Sequence, residues 1–222
     1  MQQIYARWHK HITEATSASA LPAAFLAALT ANESGGNSSA SSFEQSTYKK
    51  LAAVASGQVP DFGSIGLSNL LAALQDAVIA PPKQEPVAAA VPVPEILRSV
   101  TGMEKVGLRE LATSWGLTQI MGYQVVGRKA AIRELLDPQF NYRFAVELLS
   151  EFAHRFRLKL SSDFEALFRC WNTGDPEGET FDPDYAARGI LRMQLYQNLI
   201  ERSRSAVCNS QTRGGTREDS KR

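Results

Sequence analysis

The stretch DPQFNYRFAVELLSEFAHRFRLKL, residues 137–160, decides the fold class. Phe140, Phe144, Leu148, Phe152, Phe156 and Leu160 recur every four residues in it, and Leu149 and Ala153 widen the same face. Apolar residues at that spacing mark an amphipathic helix, so a long central helix is predicted over 137–160. Downstream, Ser161 and Ser162 offer an N-cap pair, and Phe164, Leu167, Phe168 and Trp171 keep the i, i+3, i+4, i+7 rule. Residues 182–203 repeat it with Leu191, Leu195 and Leu199. Upstream, Ile4, Trp8 and Ile12 form one stripe and Leu21, Phe25 and Leu29 a second. Pro22 lies in the first turn of that second helix, and Gly35-Gly36 stop it. Residues 43–56, 67–79 and 95–113 carry weaker helical patterning. The class read from the sequence is mainly α.

The 222 residues hold 44% hydrophobic residues, 24 Lys and Arg and 23 Asp and Glu, enough for one sizeable core and too balanced for a polyelectrolyte. Apolar runs stop well short of the ~18–20 residues of a membrane-spanning helix, so a soluble protein without a transmembrane segment is expected. A net charge of +1, with no basic residues interleaved with aromatics, gives no footprint for nucleic acid. Cys170 and Cys208 are too few for a disulfide scaffold and stand at no metal-ligand spacing from His9, His11 or His154, so neither a metal nor a cofactor is expected. No apolar core of a secretory signal is readable in residues 1–12, which predicts synthesis in the cytoplasm. Residues 80–94 hold five prolines and are read as an insert loop. Residues 203–222 lose apolar periodicity, and from Arg202 onward six Lys or Arg stand against two Asp or Glu. They are read as a disordered basic tail behind a single domain spanning 1–202.

Glu33 is the first candidate for chemistry. It falls four residues after Leu29 and so continues the core-facing stripe of its helix. Poor solvation there, together with the negative end of the helix dipole, disfavours ionisation and raises a carboxyl pKa, which is how a general acid is made. Gly35 and Gly36 then leave room for a ligand beside it. The alternative is a helix-ending glutamate in solvent, followed by a glycine cap.

Three segments follow in order along the chain: Glu33-Ser34-Gly35-Gly36-Asn37, then Ser114-Trp115-Gly116-Leu117-Thr118-Gln119-Ile120-Met121-Gly122, then Trp171-Asn172-Thr173-Gly174. Together they resemble the lysozyme-like muramidases and transglycosylases, and are closest to phage and bacterial N-acetylmuramidases that carry E-S-G-G, F-E and S-W-G-L-x-Q-I-M-G. Phe43-Glu44 stands for the middle element. Two departures are visible: Gln119 follows Glu33 by 86 positions, an insertion relative to the ordinary transglycosylase pattern, and Trp171 replaces a tyrosine.

The resemblance implies a lysozyme-like fold with a small irregular or β-hairpin lobe around Asn37 and around 116–121, a cleft between the lobes and Glu33 at the hinge. It implies that Glu33 is the catalytic acid/base and that Gln119 and Asn172 line the cleft for a peptidoglycan glycan strand; Glu44, opening a predicted helix, is the first candidate to assist water, and Trp115, with Ser114, is a further candidate to contact the glycan. Each residue keeps a plainer alternative: Gln119 a structural amide, Asn172 a helix cap, Trp115 a core residue, Glu44 a first-turn carboxylate. The acidic loop of Asp175, Glu177, Glu179 and Asp182 is read as solvated. The expected activity is hydrolysis of the β-1,4 bond between N-acetylmuramic acid and N-acetylglucosamine by a monomer acting on the cell wall after release or delivery. The alternatives are a lytic transglycosylase using Glu33 alone, or a non-catalytic glycan-binding or virion protein of the same fold.

Overall fold

The computed structural model describes residues 1–78 and 102–214, with side chains at 1–74 and 107–205. The proline-rich loop expected at 80–94 and the last eight residues of the chain lie outside the described residues. Among those described, the protein is mainly helical with a small antiparallel sheet. Within the 1–202 span read as one domain, two compact units are separable: Met1–Asn37 with Tyr142–Arg222, and Ser38–Asn141.

The first unit is organised around α2 (Ala23–Glu33). Every residue from Ala24 to Thr30 is buried, so this helix is apolar on all sides, where the sequence suggested a single stripe. Pro22 precedes it in extended backbone as its N-cap. It is covered chiefly by α8 (Tyr185–Gly214) and α1 (Gln2–Thr16), which buries the predicted Ile4, Trp8 and Ile12. After α2, Gly35 and Gly36 both take positive φ. A Cβ on Gly36 would stand 3.2 Å from the Ile4 side chain, and the Trp8 indole N–H donates to the Gly36 carbonyl at 3.1 Å. The exit from α2 is thereby pinned to α1.

Helix α6 (Pro138–Phe156) replaces the predicted 137–160 helix and ends a turn early. Arg157 takes φ +57°, and the Leu158 N–H reaches back to the Ala153 carbonyl at 2.9 Å, a left-handed cap without glycine. The predicted stripe also drifts. Steps of four residues advance about 40° beyond a full turn each, so Phe144 and Leu148 are buried beside Tyr142, Ala145 and Leu149, while Phe140, Phe152 and Phe156 are half-buried. The N-cap position of α7 (Phe164–Thr173) is Asp163, not one of the predicted serines; its carboxylate makes no capping bond to the helix and accepts the Lys159 N–H of the preceding turn at 2.8 Å. Phe168 on α7 stacks on Phe25 at 4.2 Å.

Helix α8 corrects two readings. It begins at Tyr185 and continues to Gly214, into the span expected as a disordered tail from 203. Among its described side chains, up to residue 205, the buried residues are Tyr185, Ala186, Gly189, Met193 and Tyr196, whereas Leu191 and Leu195, read as core, are 56% and 47% exposed.

The second unit contains β1 (Ser41–Phe43), α3 (Gln45–Ala55), β2 (Asp61–Phe62), β3 (Ile65–Gly66), α4 (Leu67–Val78), α5 (Gly102–Leu111), β4 (Thr113–Trp115) and β5 (Ile120–Met121). Strands β1, β4 and β5 form an antiparallel sheet with Ser42 opposite Ser114 and Trp115 opposite Ile120. This is the small β lobe the sequence suggested around 116–121. Strands β2 and β3 pair across Gly63, a hairpin the sequence reading missed. The core of this unit includes Leu51, Val54, Ile65, Leu70, Leu108 and Leu111. Its hairpin rests on Asn141, fully buried, which accepts from the Thr118 N–H and hydroxyl and donates to the carbonyls of Leu135 and Trp115. All four bonding positions of one amide are filled from within the unit.

Candidate active site

Glu33 is the last residue of α2, where seven buried residues before it and the glycine turn after it fix its backbone. Burial is the main cause that lifts its carboxyl from an ordinary 4.5 to about 7, and the Tyr185 hydroxyl opposes the shift by donating to Oε1. The direction agrees with the expectation, and desolvation is its first cause. A carboxyl poised near neutrality in this way is protonated often enough to donate and ionised often enough to recover its proton.

Tyr185 is a functional candidate that sequence reasoning missed. It is buried as the first residue of α8, and its ring meets Phe168 edge-on at 6.2 Å, so the row Phe25, Phe168, Tyr185 carries core packing up to the carboxyl group. Burial and the neighbouring Glu33 charge both push the phenol pKa well up, so it remains a donor at any working pH. Asn32, adjacent to Glu33, donates Nδ2 to the Tyr185 carbonyl at 3.1 Å and accepts on Oδ1 from Arg192. No motif announces these residues. Tyr185 alone carries a signal, since with Gly189, Met193 and Tyr196 it forms a second stripe on α8 beside the leucines.

Asn172, implied for the glycan cleft, is exposed near the end of α7, which closes on Gly174 in the left-handed region. In the loop beyond, Asp182 pairs with Arg188, which holds its carboxyl below the ordinary range, while Asp175 accepts the Glu177 N–H at 2.8 Å. Phe181 is fully exposed.

The remaining candidates belong to the second unit. Gln119 has φ +54° at the end of the β4–β5 turn, and its amide is held there: Nε2 donates to the Gly116 carbonyl at 2.8 Å and to the Ala40 carbonyl at 3.1 Å. Ser114 Oγ, buried, lies 2.8 Å from Gln119 Oε1. The Trp115 indole N–H donates to the Glu110 carbonyl at 3.1 Å. The side-chain polar atoms of these three residues thus have partners within the second unit, on the hairpin, on α5 and ahead of β1, in keeping with the structural alternative for Gln119. Glu44 is exposed at the N-cap of α3 and makes no capping bond with its side chain. A shallow open depression on α6, lined by Glu147, Ser150, Glu151, His154 and Arg155, includes none of the candidate residues.

Among the described residues no group of His, Cys, Asp and Glu is placed to hold a metal ion, and no helix is long and apolar enough to cross a membrane. No family model, no curated protein and no solved structure matches the chain.

Proposed function

We propose that this protein is a lysozyme-like peptidoglycan glycosidase that hydrolyses the β-1,4 bond between N-acetylmuramic acid and N-acetylglucosamine, with Glu33 as general acid. The observation that carries the reading is a glutamate at the end of a helix buried from Ala24 to Thr30, with a buried phenol bonded to one of its two oxygens and its carboxyl pKa raised by burial to about 7. With Oε1 accepting from Tyr185, Oε2 is the oxygen left to carry the acid proton to the glycosidic oxygen. As the leaving sugar takes that proton, the new carboxylate keeps the Tyr185 hydrogen bond, which stabilises charge where it develops. The order of the three short motifs adds support. A monomer delivered to the cell wall is part of the same proposal.

A second reading has its own support. The described partner of Glu33 is a neutral phenol, and one acid/base suffices when a hydroxyl of the muramyl residue attacks its own anomeric carbon, as in a lytic transglycosylase. Digestion of purified peptidoglycan by the wild type and Glu33→Gln, with products reduced by borohydride and weighed by mass spectrometry, separates the two. Reducible ends that vanish in the variant establish the hydrolase; 1,6-anhydro ends establish the transglycosylase. Binding to the wall with no released fragment in the wild type overturns both in favour of a glycan-binding protein.

A further inference from the structure

We infer that Arg192 and Asn32 are positioning residues for Glu33, acting through Tyr185; the inference rests on the reading of Glu33 as the general acid. Asn32 precedes Glu33 on the last turn of α2, and both ends of its amide are taken by α8. Nδ2 donates to the Tyr185 carbonyl at 3.1 Å, and Oδ1 accepts from an Arg192 guanidinium N–H. The orientation of the amide is settled by its partners, since a guanidinium only donates and a carbonyl only accepts. The Tyr185 hydroxyl then returns to Glu33. The result is a closed ring from the Glu33 carboxyl through the Tyr185 side chain and backbone to the Asn32 amide and along the chain back to Glu33, fastened from outside by Arg192.

Arg192 is an odd residue to place there for stability alone. It is half-buried and bonds a neutral amide, whereas Arg188, one turn earlier, is paired with Asp182. A partly desolvated guanidinium facing an amide recovers less than one facing a carboxylate, so its fixed five-donor plane is better explained by what it holds in place. What it holds is the Asn32 amide at the end of α2, whose other end bonds the Tyr185 carbonyl in the first turn of α8 and so helps to place the hydroxyl that occupies Glu33 Oε1.

Titratable groups also stand on the other helices of this unit, among them His11 on α1, whose ring meets Trp8 edge-on. Tyr142 on α6 bonds Thr30 at 3.3 Å, His9 on α1 bonds Tyr196 at 2.9 Å, and Cys170 on α7 is buried.

The test is a double-mutant cycle read by ¹³C NMR titration of the Glu33 carboxyl, which needs no activity. Tyr185→Phe removes the donor that favours the carboxylate and raises the Glu33 midpoint by roughly one pH unit, the worth of one such hydrogen bond. Arg192→Met raises it in the same direction by a smaller step, Arg192→Lys restores it because an ammonium also donates to Asn32, and Arg192→Met adds nothing in the Tyr185→Phe background. Asn32→Ala repeats the cycle without a change of charge, so an unfolded Arg192→Met leaves it measurable. A shift from Arg192→Met or Asn32→Ala that persists without the Tyr185 hydroxyl, or no shift from either, overturns the inference. Coupling in a protein that cleaves no peptidoglycan leaves it standing and overturns the functional reading instead.

Discussion

Glu33 ties the proposed chemistry to stability, because the burial that makes it an acid also charges the fold for its ionisation. Its folded pKa of about 7 lies above the ordinary 4.5, so the folded state binds more protons between those values and stability falls as pH rises through that window. The cost is absent below about pH 4 and complete above 7. Glu33→Gln removes it, and the variant is expected to melt with the wild type at pH 4 and to exceed it at pH 8 by on the order of 2 kcal/mol. The full shift would give more, but Glu33 is only half-buried and keeps part of its surface in water. Thermal melts across pH 4–8 check this, and parallel curves would show that Glu33 is not desolvated. Bond cleavage by the wild type has the matching profile, declining as pH rises through about 7. Gln119 gives the opposite kind of prediction. Its amide bonds offset a left-handed φ, so Gln119→Ala is expected to lower stability by roughly 1–2 kcal/mol through lost hydrogen bonds and retained strain, measured by urea unfolding. Unchanged stability with weakened glycan binding would return Gln119 to a direct role. Glu33 was legible because its distance from Leu29 is a helical spacing. The parts of Tyr185 and Arg192 were not, because they reach Glu33 and its neighbour Asn32 only through the packing of α8 on α2, across more than 150 positions of sequence.

At the scale of elements, helix existence was legible and helix facing was not. Leucines at 191, 195 and 199 mimic a core stripe, yet the close approach of α8 to α7 requires a residue with no side chain, and Gly189 supplies it. A Cβ there would stand 2.5–2.8 Å from the Phe168 ring, which is itself buried in its stack on Phe25. Gly189→Ala therefore sets a helix-propensity gain of about 1 kcal/mol against overpacking that costs roughly 1–3 kcal/mol, and overpacking wins because the ring has nowhere to move. Leu191→Ser, on the exposed side, is expected within about 0.5 kcal/mol of the wild type. Denaturant midpoints of the two variants decide which stripe faces the core; the reverse order would reinstate the leucines. The drift of α6 has the same origin: a row repeating every four residues is a helix signal, but it winds around the cylinder and so overstates how many of its members are buried.

At the scale of the whole molecule, chain order places a self-contained unit inside an interrupted one. Among the described residues, the core of Ser38–Asn141 draws on that segment alone, and Asn141 closes it with four hydrogen bonds. The other unit needs both ends of the chain, since α2 is apolar all round and depends on α8 for much of its cover. Contacts so distant in sequence form late and leave Phe25, Leu26 and Leu29 open until they do. A chain cut after Asp184 is therefore expected to lose the first unit and keep the second. The three tryptophans make this measurable: Trp8 and Trp171 belong to the first unit and Trp115 to the second. With Trp8 and Trp171 replaced by phenylalanine, Trp115 alone reports, and its indole is half-buried and bonded to the Glu110 carbonyl. In the cut chain its emission should stay blue-shifted and melt cooperatively while ANS binding rises from the uncovered α2. Emission shifted to that of solvent-exposed tryptophan would mean that the inner unit does not hold its sheet without α8, and the division into two separately stable units would fall.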